Sequence, residues 1–154
     1  MDSSNAKIIL REFNLSDEPF VLNSWLKCHC YALPDFDEKD TKERNQCFLD
    51  FQDTIYYILK DIGAKIEIAC DESDPTWIAG YAVTHEDVLF FAYTRKDYRN
   101  HGILNLLIKN KPIEYFTEKT KLGDLVMNKK GFKYSTIGEL YESVPRAEQV
   151  ERQS

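Results

Sequence analysis

The stretch Leu89–Asn110, LFFAYTRKDYRNHGILNLLIKN, decides the fold. It begins with an apolar, β-prone run, Leu89–Thr94, which predicts a strand. A charged turn then leads to Gly102, and the apolar residues of Ile103–Ile108 recur at helical spacing, which predicts an amphipathic helix. A strand that passes through a glycine turn into a helix presents unpaired backbone N–H groups. With the positive end of the helix dipole, these groups suit a phosphate or pyrophosphate.

Gly102 strengthens the case for an anion site because a residue without a side chain can adopt a positive φ or approach a ligand closely. Arg99 and Lys96 add positive charge to the same turn. One glycine before a helix is usually a simple connection, so this pattern alone is a weak indication of an anion site.

The segment Tyr98–Ile108, YRNHGILNLLI, is similar to the signature of the GNAT (Gcn5-related N-acetyltransferase) superfamily. The cofactor loop of that family reads Gln/Arg-x-x-Gly-x-Gly/Ala. Arg99 and Gly102 match it, whereas Leu104 stands where the family has a small residue. The resemblance implies that acetyl-CoA is the cofactor, held by this loop and by backbone groups of the preceding strand. The implied cofactor-binding residues are Ala92, Tyr93, Thr94, Arg99, Asn100, His101, Gly102, Ile103 and Leu104.

A second motif lies near the carboxyl end. The segment Leu125–Tyr134, LVMNKKGFKY, resembles the closing element of the GNAT fold, in which a helix ends before a Gly-Phe pair and the chain enters a strand. Met127 takes the place of the tyrosine that is the family's usual general acid. Phe20–Leu26 (FVLNSWL) and Tyr115–Thr120 (YFTEKT) are also similar to segments of small phage-encoded GNAT-like proteins.

The remaining chain supplies the other elements of such a domain. The resemblance, together with three consecutive strands before the glycine turn, predicts an α+β fold: a single GNAT-like domain with a mixed, mostly antiparallel sheet flanked by helices. This domain is expected over residues 1–143, followed by a polar tail at 144–154. Predicted strands cover Lys7–Phe13, Ala64–Cys70, Trp77–His85, Val88–Thr94, Pro112–Phe116 and a run from Gly131, and predicted helices begin near Pro19, at Thr41 (to Asp61) and at Lys121 (to Lys130).

Trp25 and Gly80 lead to further structural predictions. Trp25, on the first predicted helix, is either a core residue or part of the wall of an acceptor cleft. Gly80, in the middle of a predicted strand, indicates a bulge or a close approach of another backbone.

Acetyl transfer to an amine requires a bound thioester, a polarised carbonyl and removal of a proton from the ammonium. His85, Glu86 and Asp87 precede the Leu89–Thr94 strand and are candidate general bases, with a solvated turn as the alternative. Tyr93 is a candidate general acid, as are Tyr98 and Tyr134. Cys70 and His85 are a further nucleophilic pair, although nothing in the sequence brings them together. His29, His85 and His101 have no partners at recognisable offsets.

Cys28-His29-Cys30 resembles half of a metal site, but zinc spacing needs a second Cys/His pair and the sequence has none. Together with Cys47 and Cys70, these cysteines are too scattered for a disulfide framework. Reduced thiols on a helix, without a metal, are therefore predicted.

Charge and hydropathy limit the partners. The net charge of −6 argues against a nucleic-acid surface. No run approaches the length of a membrane span, and the opening residues lack a signal-peptide pattern. A cytoplasmic protein without a membrane partner is expected.

Two functions from different classes remain. The first is an acetyl-CoA-dependent N-acetyltransferase that acts on a primary amine of a small molecule or protein, as Arg99 and Gly102 favour. The second is a catalytically silent GNAT-like interaction or structural module with a protein partner, possible in a phage, as Leu104 and Met127 favour. A fold by itself does not decide between them.

Overall fold

A computed structural model of the chain describes residues 7–118 and 126–141. The strands of this part form one sheet in sequential order, β1 to β6. The strands are β1 (Ile8–Glu12), β2 (Lys65–Asp71), β3 (Asp74–His85), β4 (Val88–Thr94), β5 (Tyr115–Phe116) and β6 (Lys133–Tyr134). The helices are α1 (Glu18–Tyr31), α2 (Thr41–Tyr56, continued by a π-helical segment, Tyr57–Ile62), α3 (Ile103–Ile108) and α4 (Ile137–Tyr141).

The sheet is mixed and mostly antiparallel, as predicted. β1 to β4 pair antiparallel, whereas β5 pairs parallel with both β4 and β6. The α+β fold class is therefore confirmed.

Most predicted elements are present with shifted ends. β3 begins at Asp74, earlier than predicted, because Asp74 already pairs with Asp71 across the turn. β5 is shorter than predicted, and Pro112 lies outside it, as expected for a residue that has no N–H to donate. Of the helix predicted over Lys121–Lys130, residues 126–129 are helical and residues 121–125 lie outside the described residues. The predicted tail at 144–154 also lies outside them.

The two faces of the sheet carry separate hydrophobic clusters. α1 and α2 cover one face, and α3 covers the other. Trp25 is fully buried in the first cluster, where its ring stacks on Phe91 with centroids 5.5 Å apart and planes 3° apart. The interpretation of Trp25 as a core residue is confirmed. Met127 is buried in the second cluster, which also contains Leu89, Ile103, Leu107 and Phe116.

Capping residues fix both ends of the helical layer. Asp17 accepts hydrogen bonds from both terminal nitrogens of Arg11, each at 2.8 Å, and from the backbone N–H of Asn14 at 2.9 Å. This bidentate pair joins β1 to the start of α1. At the other end of the layer, Gly63 ends the π-helical segment with φ 85°, as predicted for a glycine cap.

Gly80 lies where two backbones approach closely. A Cβ at this position would lie 2.4 Å from Tyr93 O and 3.0 Å from a methyl group of Ile103. The register of β2 and β3 also shifts here, because Ala69 pairs with Gly80 and Cys70 with Ile78. Both the bulge and the close approach expected for Gly80 are confirmed.

Among the described helices, none is long and apolar enough to cross a membrane.

We predict that Gly80→Ala destabilises the protein by about 1–3 kcal/mol, because the added methyl group meets a backbone oxygen that cannot move alone. Urea unfolding measures the change. The control is Gly138→Ala in α4, where the nearest atom to an added Cβ is Thr136 Oγ1 at 4.0 Å. The control should be neutral or slightly stabilising. Equal stability of the two variants would contradict the close approach at Gly80.

We predict that Asp17→Asn destabilises the protein by roughly 1.5–3 kcal/mol at pH 7, since it removes a charge-assisted bidentate pair. The hydrogen bonds from Arg11 lower the pKa of Asp17. A lowered folded-state pKa gives stabilisation that is present above the ordinary aspartate value of about 3.9 and is lost as the pH falls through the folded value. Unfolding curves at several pH values should therefore converge for wild type and variant in acid. A constant difference down to pH 2 would contradict this assignment.

Candidate functional site

On its β5 side, β4 is paired by the described part of the chain over its first residues only. Within the described residues, β5 pairs with β4 at Val88 and Leu89 only. Beyond this pairing, the last backbone hydrogen bond is the one that Thr117 N donates to Leu89 O at 3.2 Å. From there to Thr94, no strand among the described residues pairs with this edge of β4, and the space beside it is called the opening below.

A bulge in β4 lies where its pairing with β5 ends. Val83 of β3 pairs with Phe91, whereas Thr84 pairs with Leu89, so Phe90 is an extra residue in β4. The bulge places Phe90 and Phe91 in the same cluster under α1 and α2, although consecutive strand residues normally face opposite sides. It therefore changes the direction of β4 next to the opening.

The edge of β4 along the opening offers backbone hydrogen-bonding groups. Arg95 N donates to Ala79 O at 2.8 Å, so the polar groups of Arg95 face β3. Because these groups alternate in direction along an antiparallel strand, those of Tyr93 also face β3, and those of Ala92 and Thr94 face the opening. An extended ligand could pair with Ala92 and Thr94 as an added strand does.

The loop after β4 borders the same opening. Asn100 has φ 67° and Gly102 has φ 75°, so both adopt left-handed conformations before α3 begins at Ile103. A Cβ on Gly102 would meet nothing within 4 Å, which shows open space at the start of the helix. Arg99 and His101 are exposed. α3 has six residues, and Leu104 packs partly buried against the cluster beneath it.

Across the opening, the thiol of Cys28 on α1 lies near one negative and one positive side chain. Burial raises the pKa of the Cys28 thiol, Glu118 raises it further, and Arg99 lowers it. Cys28 on α1, Glu118 just after β5 and Arg99 in the loop are therefore electrostatic neighbours. They lie 19 to 90 residues apart in sequence, so the fold alone assembles them.

Next to Cys28, His29 forms a pair that the sequence does not indicate. His29 Nδ1 lies 2.8 Å from Glu118 Oε2, and both side chains are partly buried. The imidazole ring stacks on Phe51 of α2, with centroids 3.5 Å apart and planes 1° apart. The sequence shows no partner for the histidines at a recognisable offset, and the partner of His29 is Glu118, 89 residues away in sequence.

His29 also lines a cavity between α1 and α2. The cavity has a volume of about 520 Å³. Its other lining residues are Leu33, Lys39, Glu43, Gln46, Cys47, Asp50, Phe51 and Thr54. Cys47 Sγ lies 2.8 Å from Cys30 Sγ beside this cavity, and burial with this contact raises the pKa of Cys30 to about 12.

The predicted bases lie at the other end of β4. His85 ends β3, Glu86 and Asp87 form the turn to β4, and His85 Nε2 lies 3.4 Å from Glu86 Oε1. The seven residues of β4 separate this turn from the loop by about 20 Å. The structure therefore does not bring these candidates together with Arg99 and Gly102. Their assignment as bases stays a prediction, and their position matches the alternative of a solvated turn.

Tyr93 lies beside the opening, but its ring packs in the core. It contacts Phe20 and Tyr81 with centroids 5.8 Å and 5.7 Å apart, respectively. The pairing of Cys70 with His85 is wrong, because Cys70 pairs with Ile78 and His85 lies seven positions further along β3.

Comparisons with known proteins identify the fold. No protein-family model matches the chain, and no curated protein matches it in sequence. An acetyltransferase of the GNAT family from Staphylococcus aureus Mu50 superposes with a TM-score of 0.55 at 18% identity, over 92% of this chain and 94% of that one. The chain has the GNAT fold.

A putative acetyltransferase from Acinetobacter baylyi ADP1 is also similar, with a TM-score of 0.43 at 16% identity, over 69% of this chain and 60% of that one. The fold is established by the Staphylococcus aureus structure. The structure places the predicted cofactor residues of the GNAT signature together: Ala92 and Thr94 on the open edge of β4, and Arg99, Asn100, His101 and Gly102 in the adjoining loop.

Cys28 can report on this arrangement. We predict that Glu118→Gln accelerates alkylation of Cys28 by iodoacetamide at a fixed pH, because loss of the carboxylate lowers the thiol pKa and raises the thiolate fraction. Arg99→Gln should slow the same reaction. Mass spectrometry with fragment-ion mapping distinguishes Cys28 from Cys30. Changes in the same direction in both variants would contradict the placement of the thiol between the two charges.

Proposed function

We propose that this protein is an acetyl-CoA-dependent N-acetyltransferase that acts on a primary amine of a small molecule or protein. The observation that carries the proposal is the opening beside β4, where no described strand pairs with the edge at Ala92 and Thr94, and this edge is continuous with the loop at Arg99–Gly102. A long ligand with amides at one end and phosphates at the other fits a site that offers strand-like pairing beside a cationic loop.

The chain's residues fit the two ends of acetyl-CoA in different ways. Backbone groups of Ala92 and Thr94 are suited to the amides of the pantetheine arm. Arg99 and the backbone N–H groups around Gly102 are suited to the diphosphate. Tyr93 has its own backbone groups turned to β3, so its part is to shape the wall rather than to pair with the ligand.

A buried donor also lies close to this region. Within the described part of the chain, Trp25 Nε1 is buried without a hydrogen-bond partner, and its ring stacks on Phe91 beside the bulge. Buried polar groups normally find a partner. Because Trp25 is fully buried, this donor lies in the core beside the bulge and not on the surface of the opening.

When bound, acetyl-CoA supplies an acetyl group that is activated as a thioester. The chain's part is to hold that group in reach of the amine, to exclude bulk water and to accept a proton. The first task belongs to the edge of β4 and to the loop. The apolar rings at the bulge, Phe90 and Phe91, keep the closed end of the opening dry.

The Staphylococcus aureus structure supports the proposal through its fold and its description as a GNAT acetyltransferase. The alternative is a catalytically silent module. Its sequence support came from Leu104 and Met127, and both side chains contribute to the hydrophobic cluster on the α3 side of the sheet. Their identity therefore has a packing explanation that does not require loss of activity.

The cytoplasmic location, the phage origin, the possible protein partner and the lack of nucleic-acid or membrane partners stay expectations from the sequence.

We predict that acetyl-CoA raises the thermal stability of the purified protein. A ligand that binds only the folded state adds about 2.7 kcal/mol of stability at a hundred times its Kd. Arg99→Ala should weaken binding roughly tenfold to a hundredfold, as expected for the loss of a charge-assisted hydrogen bond worth about 1.5–3 kcal/mol. Thermal-shift titrations with acetyl-CoA and CoA measure both effects.

The matched control is Lys109→Ala, which removes a positive charge directly after α3, at the end away from the loop. It should bind acetyl-CoA as the wild type does. A thiol-release assay with a panel of primary amines and lysine peptides then tests transfer. If acetyl-CoA does not stabilise the wild type at millimolar concentration, the transferase proposal fails and the interaction module is retained.

A further inference from the structure

We propose that His29 and Glu118 form the proton-accepting pair of this site, with His29 Nε2 as the base and Glu118 as its positioning residue. The inference rests on the proposed acetyl transfer. It assigns the proton transfer to residues on α1 and after β5, in place of the charged turn before β4.

The hydrogen bond between the two side chains determines which nitrogen is basic. Glu118 Oε2 lies 2.8 Å from His29 Nδ1. A carboxylate accepts hydrogen bonds and cannot donate one, so Nδ1 carries the proton in the neutral imidazole. The lone pair is then on Nε2, which has no hydrogen-bond partner within the described residues. This is the arrangement in which a carboxylate orients a histidine base and stabilises the imidazolium that forms.

A second contact fixes the plane of the ring. His29 lies parallel to Phe51 with centroids 3.5 Å apart. The stacking restricts rotation of the imidazole, while the bond to Glu118 restricts its tilt. Two independent constraints from α2 and from the segment after β5 therefore hold the base in one orientation, as a catalytic group requires.

The pair lies between the opening and the cavity. Glu118 directly follows Thr117, whose N–H makes the last backbone link between the two strands. Glu118 also acts electrostatically on Cys28 together with Arg99 of the loop. On the other side, His29 forms part of the wall of the 520 Å³ cavity, a volume that suits a small ligand. An acceptor in this cavity would reach the opening past the imidazole.

The cavity has groups that suit an ammonium. Glu43 and Asp50 lie in its lining, and Lys39 is the cation among the lining residues. With two carboxylates and one lysine, these charged groups are negative on balance, which favours a positively charged acceptor. A primary amine enters as its ammonium and must lose a proton before it can attack a carbonyl.

The proposed step balances as follows. The ammonium gives one proton to His29 Nε2, and the nitrogen lone pair forms a bond to the carbonyl carbon of the thioester. The C–S bond breaks, and its electron pair leaves on sulfur as the CoA thiolate. The thiolate takes the second proton lost by the nitrogen. His29 then releases its proton to water, so the products are the amide, the CoA thiol and one proton.

The kinetic test uses three isosteric or near-isosteric variants: His29→Gln, Glu118→Gln and His85→Gln. Thermal shift with acetyl-CoA is measured first in each, because retained binding separates a defect in proton transfer from a failure of the proposed function. Thiol release with the amine panel then gives kcat. We expect His29→Gln to lower kcat by about a hundredfold to ten-thousandfold, the usual worth of a positioned base. Glu118→Gln should lower it less and in the same direction.

Glu72→Gln serves as the matched control for Glu118→Gln. Glu72 lies in the exposed turn between β2 and β3, where it pairs with Lys7. An unchanged kcat in His29→Gln overturns the proposal. If kcat falls in His85→Gln but not in His29→Gln, the proposal is overturned and the base lies at the turn before β4.

A pH profile distinguishes a base from a structural residue. A general base must be unprotonated to accept a proton, so the wild-type kcat should fall in acid. This acidic limb should be lost in His29→Gln, whereas a purely structural role would lower kcat equally at every pH. The ionisable groups around the ring are Glu118, Cys28, Cys30, Lys39, Glu43, Cys47, Asp50 and Arg99.

Chemical labelling provides a readout that needs no acceptor. Diethyl pyrocarbonate acylates the unprotonated nitrogen of an imidazole. We expect Nε2 of His29 to be labelled faster in the wild type than in Glu118→Gln, and acetyl-CoA to slow the reaction. Peptide mapping separates His29 from His85 and His101. Equal labelling of His29 in the wild type and Glu118→Gln overturns the pair, even where no amine in the panel reacts.

Discussion

The extra residue in β4 is the constraint on which the site depends. Phe90 interrupts the register with β3, so two consecutive phenylalanines enter the same cluster. Phe90 stacks with Tyr141, and Phe91 stacks with Trp25, with centroids 6.0 Å and 5.5 Å apart, respectively. Burial of both large rings holds the bulge in place, since moving either one to the other face would expose an aromatic side chain to water. The direction of β4 beyond the bulge follows from this packing.

The same packing aligns α1 with the opening. Trp25 fixes the rotation of α1 over Phe91, and residues three and four positions later lie on the same side of a helix. Those residues are Cys28 and His29, which meet Glu118 and, for Cys28, Arg99. A core contact therefore determines which polar side chains face the site. Substitution of Trp25 would disturb the site through rotation of α1, although Trp25 itself carries no charge.

The sequence predicted the fold through local patterns. The alternating and helical spacings around Leu89–Ile108, and the glycines at 63, 80 and 102, each act within a few residues and were correct. The bulge at Phe90 was not predicted, because an extra strand residue leaves no mark in a run that is apolar throughout. The pair of His29 with Glu118 was not predicted either, because the residues are 89 positions apart. His85, Glu86 and Asp87 adjoin β4 in sequence, but the length of the strand separates them from the loop.

Leu104 stands where the GNAT signature has a small residue. How much this difference matters depends on the relative strength of two contributions to anion binding, the helix dipole and an arginine side chain. A helix dipole contributes about 0.3–1 kcal/mol to a nearby charge at an exposed site, and α3 has six residues. A charge-assisted hydrogen bond from an arginine contributes about 1.5–3 kcal/mol. In the proposed complex, Arg99 would therefore outweigh the start of α3 in holding a diphosphate, and the edge of β4 that no described strand pairs with would add backbone pairing along the rest of the ligand. Leucine at position 104, in place of a small residue, would affect only the weaker contribution, that of the helix start. The contributions of Arg99 and of the β4 edge would be kept.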